Sequence, residues 1–169
     1  MVVASEIETH GDPSPGALRG VAETASALIL DEDPAGTSGF GRFLFKGFTE
    51  YLDAVRAYGS YETGPPRLHV AQDPRFEDYA LKYVPDAAHE LLDAEGLDLS
   101  RIGVVLPPQM SPGFVARLGD SLGIGRDRCI DVPARRADLF TSSLAYAFGA
   151  AREERRVEAG DVGLIIGVG

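Results

Sequence analysis

Cysteine and positive charge are both scarce in this chain, and each shortage excludes a class of protein. The single cysteine, Cys129, excludes an internal disulfide bond and fits a reducing compartment. Lys and Arg number 16 against 26 Asp and Glu, which gives a formal net charge of −10. Because phosphate backbones are bound by clustered basic side chains, this balance argues against a nucleic-acid partner.

Long hydrophobic runs are also absent. No stretch approaches the roughly 20 apolar residues that a membrane-spanning helix needs, so we expect no membrane partner. Residues 1–10 lack the basic segment and apolar stretch of a secretory signal, which favours a cytoplasmic location. What the chain does have, 169 residues of which 44% are hydrophobic, is enough for a single domain with its own core.

The first 66 residues favour strands and loops. β-Branched and apolar residues predict strands over residues 2–7, 23–30 and 42–48. Prolines and glycines predict a loop over residues 10–20, a turn over 36–41 and a break at 64–66, whereas residues 51–61 fit no single element. Within one domain, residues 1–169, we treat residues 1–66 as a lead-in to a more regular core.

From residue 73 onward, helices and strands alternate. Asp73 and Pro74 suit the start of a helix and Gly96 suits its end. Pro85 is expected to kink this helix or to end its first half. Further helices are predicted over residues 111–123 and 138–154, and strands over 101–106, 128–132 and 162–168. This αβαβαβ order over residues 73–169 predicts a parallel sheet.

Residues 97–123, LDLSRIGVVLPPQMSPGFVARLGDSLG, predict a strand, a tight turn and a helix. With the Leu-Gly-Ile run and the strand and helix after it, this pattern closely resembles the second half of the β-ketoacyl-acyl-carrier-protein synthase III family, in the thiolase superfamily. The match needs no gap over residues 97–169, and a weaker likeness covers the first strand and ETASALILDEDPA. The resemblance implies a thiolase-like α/β half, with a five-stranded, mostly parallel sheet and helices on both faces.

The resemblance also implies which positions carry chemistry. Family members use a cysteine at a helix N-terminus in their first half as acyl acceptor, and a histidine and an asparagine in their second half. Cys129 does not match that cysteine, because it lies in a predicted strand and suits a buried core thiol. The family's histidine turn is Pro107-Pro108-Gln109 here, so Pro108 stands where the histidine would be.

Asp138 stands at the family's asparagine position when the sequences are matched without a gap. Family branches that transfer acyl groups to alcohols or amines resemble this chain, because they also have Asp at this position. An Asp can orient a protonated histidine. A shifted match would place Phe140 there instead, and Asp138 also suits the N-cap of the last helix. Gln109, Met110 and Phe114 are candidate substrate-binding residues beside the turn, with core or interface packing as the alternative.

Three functions fit these residues. The chain is either the second half of a split ketosynthase III-like acyltransferase or condensing enzyme, or a degenerate, non-catalytic scaffold of the same fold, or an unrelated α/β binding module. Pro108 favours the scaffold, because proline has neither a titratable group nor a side-chain donor.

The split-enzyme hypothesis implies specific partners and substrates. A thiolase-like first-half chain would supply the cysteine, two such pairs would form a dimer of heterodimers, and an acyl carrier protein would be a further partner. The substrate would be an acyl thioester, on CoA or on the phosphopantetheine of a carrier protein, with no separate cofactor and no metal. The altered motifs in a fatty-acid-type fold favour a role in secondary metabolism.

Overall fold

The structure is a computed structural model of the chain, and it describes residues 2–6, 24–36, 38–60, 67–132 and 139–169. Within these ranges six strands pair as three two-stranded sheets, and three α-helices pack around the sheet formed by the last two strands. The α/β class is therefore the observed class. The described strands do not join into one five-stranded sheet, because each pairs with a single neighbour.

Two antiparallel pairs form the lead-in. Strands β1 (Val2–Glu6) and β2 (Thr24–Leu28) pair with each other, as do β3 (Val55–Ser60) and β4 (Arg67–Gln72). The strands predicted over residues 2–7 and 23–30 are thus confirmed. The ambiguous stretch from residue 51 contains the end of a short 3-10 helix (Thr49–Tyr51) followed by β3.

The strand predicted over residues 42–48 is wrong. These residues form no regular element, and the side chains of Phe43 and Phe45 are 64% and 89% exposed. The alternating pattern is present, but no described strand runs alongside to pair with it. A strand needs such a partner for its backbone hydrogen bonds, so alternation alone did not produce one.

Helix α1 (Phe76–Glu95) is the longest element. Asp73 stabilises the turn that leads into this helix. Its carboxylate accepts a hydrogen bond of 2.8 Å from the backbone N–H of Arg75. The helix ends at Gly96, which adopts a left-handed φ of 64° as predicted. It does not end at Pro85, because the core contacts of Ala80 and Ala88 on either side outweigh one missing hydrogen bond.

The central sheet consists of β5 (Ile102–Leu106) and β6 (Val162–Ile165), which are parallel as predicted. The strand predicted over residues 128–132 is reduced to a single bridge between Cys129 and Val105. A backbone hydrogen bond of 3.0 Å from Ile130 N–H to the Val105 carbonyl supports that bridge.

Two further helices complete the core. Helix α2 (Phe114–Leu122) ends at Gly123, whose φ of 70° is one that only glycine adopts readily. Helix α3 (Ser143–Glu153) follows a short 3-10 helix (Phe140–Ser142). Helices α1 and α2 pack on one side of β5 and α3 on the other, so helices cover both faces as expected.

Several sequence predictions lie outside the described residues. They include the loop over residues 10–20, the break at 64–66 and Asp138 itself. The predicted start of the last helix at residue 138 is wrong, because α3 begins at Ser143 with Ser142 as its N-cap. In the parts of the chain that are described, no helix is long and apolar enough to cross a membrane.

Candidate functional site

The predicted catalytic turn lies at the carboxyl end of β5, and it is closed to solvent. Pro107, Pro108, Gln109 and Met110 are all buried, although β5 has just ended. A buried, irregular segment leaves backbone polar groups without a regular ladder, so these groups need specific partners. Gln109 supplies most of these hydrogen-bond partners.

The side-chain amide of Gln109 ties the turn to the bridged segment beside it. Its Nε2 donates to the carbonyl oxygens of Pro107 at 3.1 Å and Ile130 at 2.9 Å. Its Oε1 accepts from the backbone N–H of Val132 at 2.9 Å. Because the residue is only 6% exposed, these bonds form in a low-dielectric setting where losing one is costly.

The backbone of Gln109 ties the same turn to helix α3. Its N–H donates to Ser143 Oγ at 3.1 Å, and its carbonyl accepts from Leu139 N–H at 2.9 Å. Val132 and Leu139 flank residues 133–138 on either side, so one residue is bonded to both flanks of the stretch that contains Asp138. Asp138 itself lies outside the described residues.

Met110 and Phe114 lie in the main core. Phe114 is fully buried and Met110 is 9% exposed, and both pack with residues of β5, α1 and α2. This placement is the core packing that the sequence left open as an alternative. Their role in substrate binding, like that of Gln109, stays a prediction.

Pro108 occupies the turn position without offering a group for proton transfer. Histidines could in principle reach the site from elsewhere in the chain. His89 is the one histidine whose side chain the structure describes, and it lies exposed on α1. Among the described residues, no cluster of His, Cys, Asp and Glu is arranged to hold a metal ion.

Cys129 is packed as a core residue. It is 4% exposed, and burial raises the pKa of its thiol above the ordinary value. Helix α2 passes directly over it, since a Cβ added at Gly119 would lie 3.1 Å from the Cys129 sulfur. A shielded thiol with a raised pKa is a poor nucleophile, so the surroundings of Cys129 disfavour a role as acyl acceptor.

Curated relatives match nearly all of this chain. A β-ketoacyl-[acyl-carrier-protein] synthase III of Sodalis glossinidius is 27% identical over 178 residues, covering 98% of this chain and 53% of the relative. The protein of the same name from Solibacter usitatus is 26% identical over 156 residues, covering 86% of this chain and 47% of that protein. This chain is ketosynthase III-like. No family model matches it.

A solved structure supports the same fold for this ketosynthase III-like chain. The 3-oxoacyl-(acyl carrier protein) synthase III of Pseudomonas aeruginosa superposes with a TM-score of 0.64 at 16% identity, over 73% of this chain and 38% of that one. The chain spans about half the length of the curated relatives it matches. The correspondence of Pro108 and Asp138 to the catalytic histidine and asparagine positions of such a protein stays a prediction.

A cavity that the sequence did not predict lies away from the turn. Its volume is about 430 Å³, and it is bounded by α1, by residues 44–55 and by residues 164–169. Its walls are mainly apolar, and its volume is within the roughly 300–1,000 Å³ of typical ligand pockets.

Tyrosines gather at one wall of this cavity. The hydroxyls of Tyr51 and Tyr83 are 3.0 Å apart, and the Tyr51 ring stacks on Tyr79 with centroids 4.3 Å apart. Hydrogen bonding from Lys82 lowers the pKa of Tyr83, whereas the bond to Tyr83 raises the pKa of Tyr51. Tyr79 and Tyr83 share a helix face in the sequence, but Tyr51 is distant in the chain, so no local pattern signalled the cluster.

Proposed function

We propose that this chain is the second half of a two-chain, ketosynthase III-like acyltransferase or condensing enzyme. The proposal is supported by the likeness to two curated β-ketoacyl-[acyl-carrier-protein] synthases III, at 27% and 26% identity. The matched relatives are named β-ketoacyl-[acyl-carrier-protein] synthase III, so we propose acyl thioesters as the substrate class. The donor would be acyl-CoA or a carrier-protein phosphopantetheine thioester.

The nucleophile of this enzyme would come from the partner chain. Cys129 is the single cysteine in this chain, and its burial and raised pKa disfavour the thiolate that attacks a thioester. A first-half chain with a cysteine at a helix N-terminus would supply that group. Two such pairs would then form a dimer of heterodimers.

The turn and the stretch after Val132 would shape the reaction centre from this side. Acyl transfer to an alcohol or amine requires the acceptor to lose its proton as it attacks the acyl carbon and the cysteine sulfur leaves. Asp138 is the residue we propose to take or stabilise that proton. Decarboxylative carbon–carbon condensation should be weak, because Pro108 cannot replace a histidine and Asp138 cannot donate as an asparagine amide does.

Restoring both family residues tests this division of activity. In a reconstituted complex, Pro108→His combined with Asp138→Asn should raise malonyl-dependent condensation, measured as product released per unit time. Robust condensation by the unaltered complex would contradict the proposal.

Asp138→Ser tests for a role of Asp138 in the chemistry, since serine keeps a small polar side chain but removes the carboxylate. If Asp138 acts on the proton, acyl transfer should fall on the order of 100-fold. An unchanged transfer rate would exclude Asp138 from the chemistry.

An acyl carrier protein is a further proposed partner, and carrier proteins are acidic. On α2, Arg117 pairs with Glu77 from α1, and Arg126 just beyond α2 pairs with Asp120 at 2.6 Å. Both guanidinium groups are therefore already neutralised within this chain. We accordingly propose that the carrier docks mainly on the partner chain.

A non-catalytic scaffold of the same fold is the second candidate, and the burial of Pro108 at the catalytic turn favours it. The sequence of the neighbouring reading frame separates the two candidates. The neighbouring reading frame should encode a thiolase-like half with a cysteine at a helix start if the complex is an enzyme. A neighbouring half that also lacks the cysteine would exclude catalysis of the family type and leave the scaffold.

A further inference from the structure

The cavity bounded by α1, residues 44–55 and residues 164–169 has a pair of hydroxyl groups on one of its mainly apolar walls. Tyr51 and Tyr83 both line the cavity, and their hydroxyl oxygens are 3.0 Å apart. Both side chains are half-buried, and Phe48 packs against the Tyr83 ring with centroids 4.2 Å apart. A concave, mostly apolar space with a few polar groups in fixed positions is the usual form of a small-molecule site.

The hydroxyl pair has one proton more than its own hydrogen bond uses. Each phenol carries one proton, and one of the two protons lies in the bond between Tyr51 and Tyr83. Lys82 hydrogen-bonds to Tyr83, but an ammonium group is a donor and cannot accept the second proton. The part of the chain that the structure describes offers no other acceptor for it. The wall therefore presents one hydroxyl donor that a ligand can use.

Lys82 strengthens this donor from outside the cavity. Its Nζ lies 4.7 Å from the centre of the Tyr83 ring, and its hydrogen bond lowers the pKa of Tyr83. A cation beside one phenol polarises the hydroxyl bonded to it, and hydrogen bonds in a chain strengthen one another. The free proton is therefore a better donor than that of an isolated tyrosine, whichever of the two hydroxyls carries it.

The charges around the cavity favour a neutral occupant. Lys46 is the charged side chain among the described lining residues, and Glu90 already pairs with it. Lys82 is not part of the lining. A carboxylate inside the cavity would lose its hydration without gaining an unpaired cation, which is costly. A carbonyl oxygen accepts a hydrogen bond without carrying that charge.

We propose that this cavity binds a neutral, mainly apolar carbonyl compound, whose carbonyl oxygen accepts the free hydroxyl proton of the Tyr51–Tyr83 pair. The apolar body of the ligand lies against aliphatic side chains of the lining, among them Val84, Leu91 and Ile166. The inference uses residues of this chain alone, so it does not depend on the proposed two-chain function.

Calorimetric titration of the chain with 2-undecanone, a neutral ketone with an apolar tail, tests the inference. The ketone should bind stoichiometrically, and Tyr51→Phe combined with Tyr83→Phe should weaken binding about 10-fold, the usual scale of one hydrogen bond. Tyr79→Phe is the matched control, because its hydroxyl donates to Asp73 at 3.2 Å, and it should weaken binding less than about 2-fold. Absence of stoichiometric binding, or equal losses in the two variants, would overturn the proposal.

A second pair of substitutions tests the location of the ligand without altering the tyrosines. Ala87 lines the cavity from α1, so Ala87→Phe should fill part of the space and weaken ketone binding by about 10-fold or more. Ala94→Phe, at an exposed position of the same helix, should change binding less than about 2-fold. Equal effects of the two substitutions would place the ligand elsewhere and overturn the proposal.

Decanoate, an anion of similar length, tests the predicted charge of the ligand. At neutral pH it should bind about 10-fold more weakly than 2-undecanone, because its carboxylate finds no unpaired cation in the lining. Decanoate that binds as tightly as the ketone would overturn the neutral class of ligand and make Lys82 the anchor of an anion instead.

Discussion

The turn after β5 and the cavity bounded by α1 and residues 164–169 differ in how closely the chain packs around them. At the turn, the backbone and side-chain polar groups of Gln109 are all bonded within the chain, and Phe114 is fully buried. At the other region, a mainly apolar cavity of about 430 Å³ stays open between α1 and residues 164–169, and Leu52 in its lining is exposed. The difference indicates that substitutions at the turn should lower stability strongly, whereas substitutions of exposed residues in the cavity lining should lower it little.

The largest expected effect on stability is beside the buried turn after β5. Phe114→Ala removes a fully buried ring from the core and should lower the free energy of unfolding by about 3–5 kcal/mol. Leu52→Ala, in the exposed lining of the cavity, should change the free energy of unfolding by less than about 0.5 kcal/mol. Urea denaturation of the isolated chain measures both, and similar losses would erase the distinction between the two regions.

Breaking the Gln109 network should have the next largest effect. Gln109→Leu keeps the approximate size but leaves the Val132 N–H and the Ile130 carbonyl without their partner. Each unpaired buried group costs about 1–3 kcal/mol, so we expect a loss of about 2–4 kcal/mol in urea denaturation. Gln72→Leu, at the half-buried end of β4, is the control and should lose far less.

The buried thiol predicts a smaller, pH-dependent effect. Burial raises the pKa of Cys129, so the folded chain holds this proton more tightly than the unfolded chain does. The resulting stability is complete below the ordinary thiol pKa of about 8.5 and is lost as pH rises through the folded value, by at most about 1.4 kcal/mol per pH unit. Cys129→Ala should remove this component of the pH dependence, and an identical pH profile would contradict it.

The smallest expected effect is in the exposed aromatic segment before β3. Phe45 is 89% exposed and stacks only on Phe43, with ring centroids 6.4 Å apart, among the described ring contacts. Phe45→Ser should therefore change the free energy of unfolding of the isolated chain by no more than about 0.5 kcal/mol. A loss of unfolding free energy above about 1 kcal/mol would show that this segment packs as part of the core.

Local sequence signals predicted the elements that depend on neighbouring residues. The span of α1, its end at Gly96 and the end of α2 at Gly123 follow from helical periodicity and left-handed glycines. The family resemblance placed Pro108 at a turn after a buried strand, and the structure has that turn. The parallel pairing of β5 and β6 followed from the alternation of helices and strands.

Features that depend on distant residues were not predictable in this way. The Gln109 network joins residues 21 and 34 positions apart, and nothing in the sequence near Gln109 identifies Ile130 or Ser143 as partners. The same limit explains the two strand errors at residues 42–48 and 128–132, since a strand exists only where a second strand pairs with it.

Native mass spectrometry of this chain, tagged and purified from its source cells, tests the central claim most directly. The two-chain account predicts a stoichiometric complex with a thiolase-like chain that carries a cysteine, and acyl loading of that cysteine as a further mass increase. A lone monomer or a homodimer of this chain would contradict it.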